Sequence, residues 1–138
     1  MLRRFREVDP LEELRPVIAG DEVLALSKTC RQVYISPAIE TYVLALVRAT
    51  RSHPALSLGA SPRGSLALAR TAQVLAAMRG RAFVIPDDVQ RPAGPALAHR
   101  LILSSQSRLR GKGVPEVLQS VIEQVPVPVE ETWSDPAA

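Results

Sequence analysis

Residues 36–51 read Ser-Pro-Ala-Ile-Glu-Thr-Tyr-Val-Leu-Ala-Leu-Val-Arg-Ala-Thr-Arg and carry the clearest helix signal in the chain. Ser36 followed by Pro37 is typical of a helix start, with a hydroxyl N-cap and proline at the first helical position. Apolar side chains then recur at every third or fourth residue, on one face: Ile39, Tyr42, Val43, Leu46 and Val47. The sequence therefore predicts a helix from Ser36 to about Arg51 that packs this face against a core.

Further helices are predicted on both sides of this one. Ser61-Pro62 repeats the start signal and opens a helix to about Arg79, which Gly80 ends. A second apolar stripe predicts a helix over residues 114–125, and a shorter helix is expected from Asp21 to about Cys30. Between Pro86 and Leu103 the prolines around Gly94 predict two short helices.

Two short β-like pieces, residues 33–35 and 82–85, each precede a predicted helix and could pair as a two-stranded ribbon. The fold class expected is an all-α helical bundle with a minor two-stranded β pair. We divide the chain into a leading segment (1–20), a helical domain (21–125) and an extended, mobile tail (126–138).

Composition excludes several classes of protein. The chain has 138 residues and a single cysteine, which suits one domain without an internal disulfide. The longest apolar run, residues 42–47, is far too short to cross a bilayer, and the N-terminus has no signal-peptide core. We expect no membrane span and a cytoplasmic location.

Positive charge is concentrated in the middle of the chain. Residues 24–115 hold thirteen Lys or Arg against three acids, a net of +10, whereas both ends are acidic. A basic centre suggests an anionic partner, which could be nucleotide phosphates, nucleic acid or an acidic protein surface. A solvated arginine-rich surface explains the composition equally well.

No complete enzyme site is visible in the sequence. Cys30 and the two histidines lack metal-ligand spacing, so no metal site is predicted, and Asp87-Asp88 suits a helix start. Gly111-Lys112 is followed by glycine and has Gln106 where a phosphate-binding loop needs its first glycine. We expect this chain alone neither to bind ATP tightly nor to hydrolyse it.

Residues 58–65, Leu-Gly-Ala-Ser-Pro-Arg-Gly-Ser, form the most informative segment for binding. A flexible Gly59 leads into the helix start, and Arg63 falls in the first turn, where free N–H groups and the helix dipole favour an anion. Gly64 has no side chain to obstruct a ligand. An ordinary helix N-terminus with an exposed arginine is the alternative explanation.

These residues also carry a family resemblance. Gly59-Ala60-Ser61-Pro62-Arg63 resembles the sensor 2 motif in the C-terminal helical lid of MoxR-type AAA+ ATPases. Further segments, in order, are similar to the same lid: residues 46–51, 76–81, 84–89, 99–101 and 125–128. The similarity covers residues 2–128, with its motifs in the family's order.

The resemblance implies a lid that closes over ATP and Mg bound by an AAA+ core domain upstream, in a parent ATPase that carries the Walker motifs. Arg63 would contact the γ-phosphate as a catalytic residue, and Ser61, Pro62, Arg63 and Gly64 would form the nucleotide side of the lid. Neighbouring ring subunits and a von Willebrand factor A domain protein are implied partners, with chaperone-like maturation of partner proteins as the activity. A free-standing basic module that binds nucleic acid or an acidic protein is the alternative.

Overall fold

The computed structural model describes residues 14–129. Two long helices, α2 and α3, form the centre, and shorter elements pack around them. In chain order the elements are α1 (Gly20–Cys30), α2 (Pro37–Ser52), β1 (Leu56–Leu58), α3 (Pro62–Met78), α4 (Pro86–Gln90), α5 (Ala93–Leu97), a 3₁₀ turn (Ala98–Arg100), β2 (Ile102–Leu103), α6 (Ser105–Leu109) and α7 (Val114–Gln124).

The core lies between α2, α3, the short helices α4 and α5, and α7. The predicted stripe of α2 is buried throughout, and α3 contributes side chains that are small or fully enclosed: Leu68, Ala72 and Ala76. Ser36 caps α2 as predicted, since its Oγ accepts from the backbone N–H of Ile39 at 3.3 Å. The predicted mostly helical bundle is confirmed, and the ends of α2, α3 and α7 lie within a residue or so of the predicted bounds.

A minor antiparallel pair is present, but residues other than the predicted ones form it. β1 pairs with β2, with Leu56 opposite Leu103 and Leu58 opposite Ile102. The predicted pieces meet only at a single parallel bridge between Tyr34 and Phe83. Placing the strands at 33–35 and 82–85 was therefore wrong, because those pieces turn into α2 and α4 before a second pair of residues can align.

Some segments were not predicted, or fall outside the described residues. α6 was missed, although Ser104 caps it by accepting from the N–H of Ser107 at 3.3 Å. Residues 126–129 carry no helix or strand, and the rest of the predicted tail lies outside the described residues, as does most of the predicted leading segment.

A buried carboxylate fixes the start of α4 against the end of α3. Asp88 has no exposed side-chain surface, and its two oxygens accept from Arg81 at 2.5 and 2.6 Å in a forked arrangement. Arg79 adds a bond of 3.0 Å, and the backbone N–H of Ile85 adds another of 3.0 Å. The helix-start role predicted for Asp87-Asp88 is confirmed at Asp88, which bonds to two arginines and to the N-terminus of α4.

The ion cluster gives the fold an acid-sensitive element. Burial alone would raise the pKa of Asp88, but the hydrogen bonds from Arg81 and Ile85 and the charges of both arginines outweigh it, and the pKa lies below its ordinary value. The hydrogen bonds that Arg81 donates to Asp88 outweigh desolvation and raise the pKa of Arg81.

We expect the free energy of unfolding to fall as the pH drops below about 4, the ordinary aspartate pKa in an unfolded chain. Because the pKa of Asp88 is lower in the folded chain than in the unfolded chain, its ionised form stabilises the fold fully above the unfolded pKa. That stabilisation is lost as the pH falls from the unfolded pKa toward the folded one. Urea unfolding at a series of pH values measures this change. In Asp88→Asn the decrease in the free energy of unfolding at low pH should be smaller than in the wild-type chain. An unchanged pH profile in that variant would contradict the assignment of the acid sensitivity to Asp88.

Candidate functional site

The N-terminus of α3 is the candidate site, and no side chain caps its first turn. Ser61 occupies the N-cap position with extended backbone, yet its hydroxyl makes no capping hydrogen bond, unlike that of Ser36 at α2. Pro62 at the next position has no N–H, and the N–H of Gly64 donates to the carbonyl of Ser61 at 2.7 Å. The turn therefore has no side-chain cap of its own, as an anion-binding helix end requires.

Arg63 projects from this turn into solvent. It is exposed, and its side chain makes no hydrogen bond or ion pair with any residue in the described part of the chain. By contrast, Arg79 and Arg81 are committed to Asp88. The predicted position of Arg63 in the first turn is confirmed, and its guanidinium is available for a ligand.

Gly64 faces the protein rather than the ligand side. A Cβ at this position would lie 3.1 Å from the Cβ of Ala60 and 3.2 Å from Cδ2 of Leu97, closer than ordinary contact. The absent side chain thus lets α3 pack on α5, a role that sequence reasoning did not assign. The Cδ of Arg100 lies 3.9 Å from the same point, and the Nε of Arg100 donates to the carbonyl of Ala96 at 3.2 Å.

The loop before α3 is held by the last turns of α2. The N–H of Ala60 donates to Oγ1 of Thr50 at 2.9 Å, and the carbonyl of Ala60 accepts from Nε of Arg51 at 2.7 Å. A Cβ on Gly59 would lie 2.6 Å from three backbone atoms of residues 50 and 51. Gly59 is therefore required for close approach, whereas the sequence indicated only flexibility.

A sizeable groove lies elsewhere, between the end of α2, α6 and α7. It has a volume of about 510 Å³ and is lined by polar and basic side chains that include His53, Arg110 and Lys112. Nδ1 of His53 accepts from the N–H of Ala55, and its Nε2 lies 3.1 Å from Oγ of Ser120, so the ring has a structural role. None of the four predicted site residues lines this groove.

Two further properties concern the whole described segment. Within residues 14–129, no group of three or more His, Cys, Asp or Glu side chains is placed to hold a metal ion. No helix in that segment has both the length and the apolar character needed to cross a membrane.

A family model for the AAA lid domain matches residues 48–121, more than half of the chain, and this match includes both the end of α2 and the candidate site on α3. The chain belongs to the AAA lid domain family. The AAA+ lid expected from the sequence motifs is therefore confirmed at the level of the AAA lid domain family, and the matched region begins at the helix end that holds the loop before Arg63.

Three named proteins are similar to most of this AAA lid chain. The chain is 37% identical over 123 residues to the protein YeaC of Bacillus subtilis, covering 89% of this chain and 38% of that protein. It is 34% identical over 142 residues to the protein MoxR of Methylorubrum extorquens, covering 91% of this chain and 41% of the relative. The chaperone MoxR1 of Mycobacterium tuberculosis is 32% identical, over 84% of this chain and 33% of its own length.

A solved structure shares the architecture of this AAA lid. It comes from Cytophaga hutchinsonii, is described as a candidate ATPase, and superposes with a TM-score of 0.80 at 25% sequence identity. The superposition covers 93% of this chain and 42% of that one. The chain thus spans about two-fifths or less of the length of the proteins it matches.

Proposed function

We propose that this domain is the nucleotide-responsive lid of a MoxR-type AAA+ ATPase and that Arg63 is its sensor 2 arginine. In this proposal the guanidinium of Arg63 donates hydrogen bonds to oxygens of the ATP γ-phosphate when the lid closes on the core domain. Arginine suits this role because its forked donors match phosphate geometry and remain charged at any cellular pH.

One observation supports this proposal above the others. Arg63 is an exposed cation with no partner among residues 14–129, and it stands in an uncapped first turn of a helix of 17 residues. The positive end of the helix dipole favours an anion at the same place. Ser61, Pro62 and Gly64 form the turn that presents Arg63, with Gly64 on its buried side.

The residues of this domain fit the phosphate of ATP and not its magnesium ion. The first turn of α3 contains no acidic residue, and Mg²⁺ is usually held through carboxylates together with the substrate phosphates. The proposal therefore assigns magnesium binding and the hydrolytic step to the AAA+ core domain of a full-length parent. This lid supplies a phosphate contact and reports the nucleotide state through its rotation.

The wider role follows from the family. We propose that the parent ATPase assembles as a ring and acts like a chaperone in the maturation or activation of partner proteins. One relative is itself named a chaperone. A von Willebrand factor A domain protein is the proposed partner class, neighbouring ring subunits are proposed contacts of the lid, and the cytoplasm is the proposed location.

We expect Arg63→Ala in the full-length ATPase to lower kcat for ATP hydrolysis at least about tenfold. A hydrogen bond to a charged group contributes roughly 1.5–3 kcal/mol, and 1.4 kcal/mol corresponds to a factor of ten. The melting temperature should stay the same because the side chain is exposed and unpaired within the described residues. Steady-state ATPase assays and thermal unfolding of the same preparations measure both quantities.

Arg70→Ala is the matched control, since Arg70 is exposed on the same helix about two turns later. It removes the same charge and should leave kcat unchanged. Wild-type turnover in Arg63→Ala would remove Arg63 from the mechanism. An equal loss in both variants would point to net charge rather than to a phosphate contact.

A further inference from the structure

Both backbone hydrogen-bonding groups of Ala60 are bound by the end of α2. The hydroxyl of Thr50 accepts from the Ala60 N–H at 2.9 Å and itself donates to the carbonyl of Val47 at 2.7 Å. Nε of Arg51 donates to the carbonyl of Ala60 at 2.7 Å. Thr50 is fully buried and Ala60 is 1% exposed, so water cannot readily replace these two bonds.

The loop is also packed directly on the helix. Gly59 approaches the backbone of residues 50 and 51 so closely that no side chain fits between them. Ala60 packs from the other side on Gly64, in the first turn of α3. The end of α2 and the first turn of α3 are thus connected through Ala60, and a shift of Ala60 would move the turn that carries Arg63.

Among the residues that hold Ala60, Arg51 has the unusual chemistry. The neutral hydroxyl of Thr50 accepts from the N–H of Ala60. The carbonyl of Ala60 instead accepts from the guanidinium of Arg51, a stronger charge-assisted donor. No acidic side chain pairs with Arg51 among the described residues.

We infer that Arg51 is a positioning residue for Arg63: its Nε–H holds the carbonyl of Ala60 and thereby fixes the direction in which the first turn of α3 presents the Arg63 guanidinium. This inference rests on the proposed nucleotide contact of Arg63. It assigns to Arg51 no contact with nucleotide, so only the donor at Nε matters for turnover.

Two substitutions of Arg51 separate the donor from the charge. In Arg51→Gln the amide Nε2 follows Cδ, as Nε does in arginine, so a donor remains where the charge is lost. Arg51→Met keeps a stem of similar length and places an apolar methyl group at that point. If Arg51 acts by positioning Arg63, Arg51→Gln should preserve ATP turnover and Arg51→Met should lower it.

The test measures kcat for ATP in the full-length ATPase for both variants, for Arg63→Ala, and for Arg51→Met combined with Arg63→Ala. We expect Arg51→Met to lower kcat about threefold to tenfold, less than the loss of a direct hydrogen bond to a charged group because Arg51 acts through Ala60. We expect Arg51→Gln to keep at least about half of the wild-type kcat. In the Arg63→Ala background, Arg51→Met should cause no further loss, because coupled residues are not additive. Arg48→Met, on the exposed side of α2, is the control and should keep wild-type kcat.

Several outcomes would overturn the inference. Equal losses in the glutamine and methionine variants, or losses that multiply in the double variant, would make Arg51 a direct phosphate contact or an independent residue. Wild-type kcat in Arg51→Met would also overturn it. If the methionine variant fails to fold, Arg51→Gln decides alone, since a loss as large as that of Arg63→Ala contradicts positioning. Wild-type kcat in Arg63→Ala identifies failure of the proposed function itself.

Discussion

Replacing Asp88 by alanine is expected to lower the free energy of unfolding by about 3 kcal/mol, the lower end of the range for breaking a buried ion pair. The variant removes the shared anion of Arg79 and Arg81 and leaves the N–H of Ile85 without its acceptor. The lower end applies because the two arginine side chains keep 32% and 22% of their surface in water, which partly solvates them once the carboxylate is gone.

Asp87→Ala provides the matched control for this prediction. Asp87 is the neighbouring residue in the same first turn of α4, with the same charge, but its side chain is exposed. We expect that variant to change the free energy of unfolding by less than about 0.5 kcal/mol, as exposed positions usually do. Urea unfolding of the two variants and of the wild-type chain at neutral pH makes the comparison. Similar losses in both would mean that helix-dipole charge, not the buried cluster, stabilises α4.

The long helices could be predicted because each carries its own start and stop signals. In α2 the Ser36 cap, the following proline and an apolar stripe all lie within one continuous segment. The helix α3 ends at Met78, and Gly80 follows it with a φ of 70°, the left-handed conformation that glycine adopts readily. Such local signals do not depend on what the rest of the chain does.

The small sheet could not be located in the same way. β1 has three residues and β2 has two, so neither is long enough to show the alternation that identifies a strand. Their pairing joins segments more than 40 residues apart and depends on how α3, α4 and α5 fold between them. Residues 33–35 and 82–85 have stronger β composition, but tertiary structure permits only one bridge.

For the candidate site, the sequence predicted the position of Arg63 but not how the surrounding backbone is held. The Ser-Pro start signal is local, so it correctly placed Arg63 in the first turn of α3. The bonds from α2 to Ala60 and the packing of Gly64 on Leu97 join distant segments. A glycine in a sequence is compatible either with a flexible backbone or with close packing of that backbone on a neighbouring element. Only the fold distinguishes the two.

Gly59→Ala should destabilise the chain by about 3 kcal/mol, the upper end of the usual cost of overpacking. A Cβ would lie 2.6 Å from the N and Cα of Arg51 and from the carbonyl oxygen of Thr50. All three are backbone atoms of α2, so no side chain can rotate away. The loop must move off the helix, and the bonds from Thr50 and Arg51 to Ala60 lengthen with it.

Gly20→Ala makes the opposite prediction from the same substitution. Gly20 is the first residue of α1 and is followed by aspartate, and a Cβ there would have no atom within 4 Å. Alanine should therefore stabilise the chain by about 0.4–1 kcal/mol, because it restricts the unfolded chain more than glycine does. Thermal or urea unfolding of the two variants compares one chemical change in two surroundings. A neutral Gly59→Ala would mean that the loop is not packed on α2, and the route by which Arg51 is proposed to orient Arg63 would then be lost.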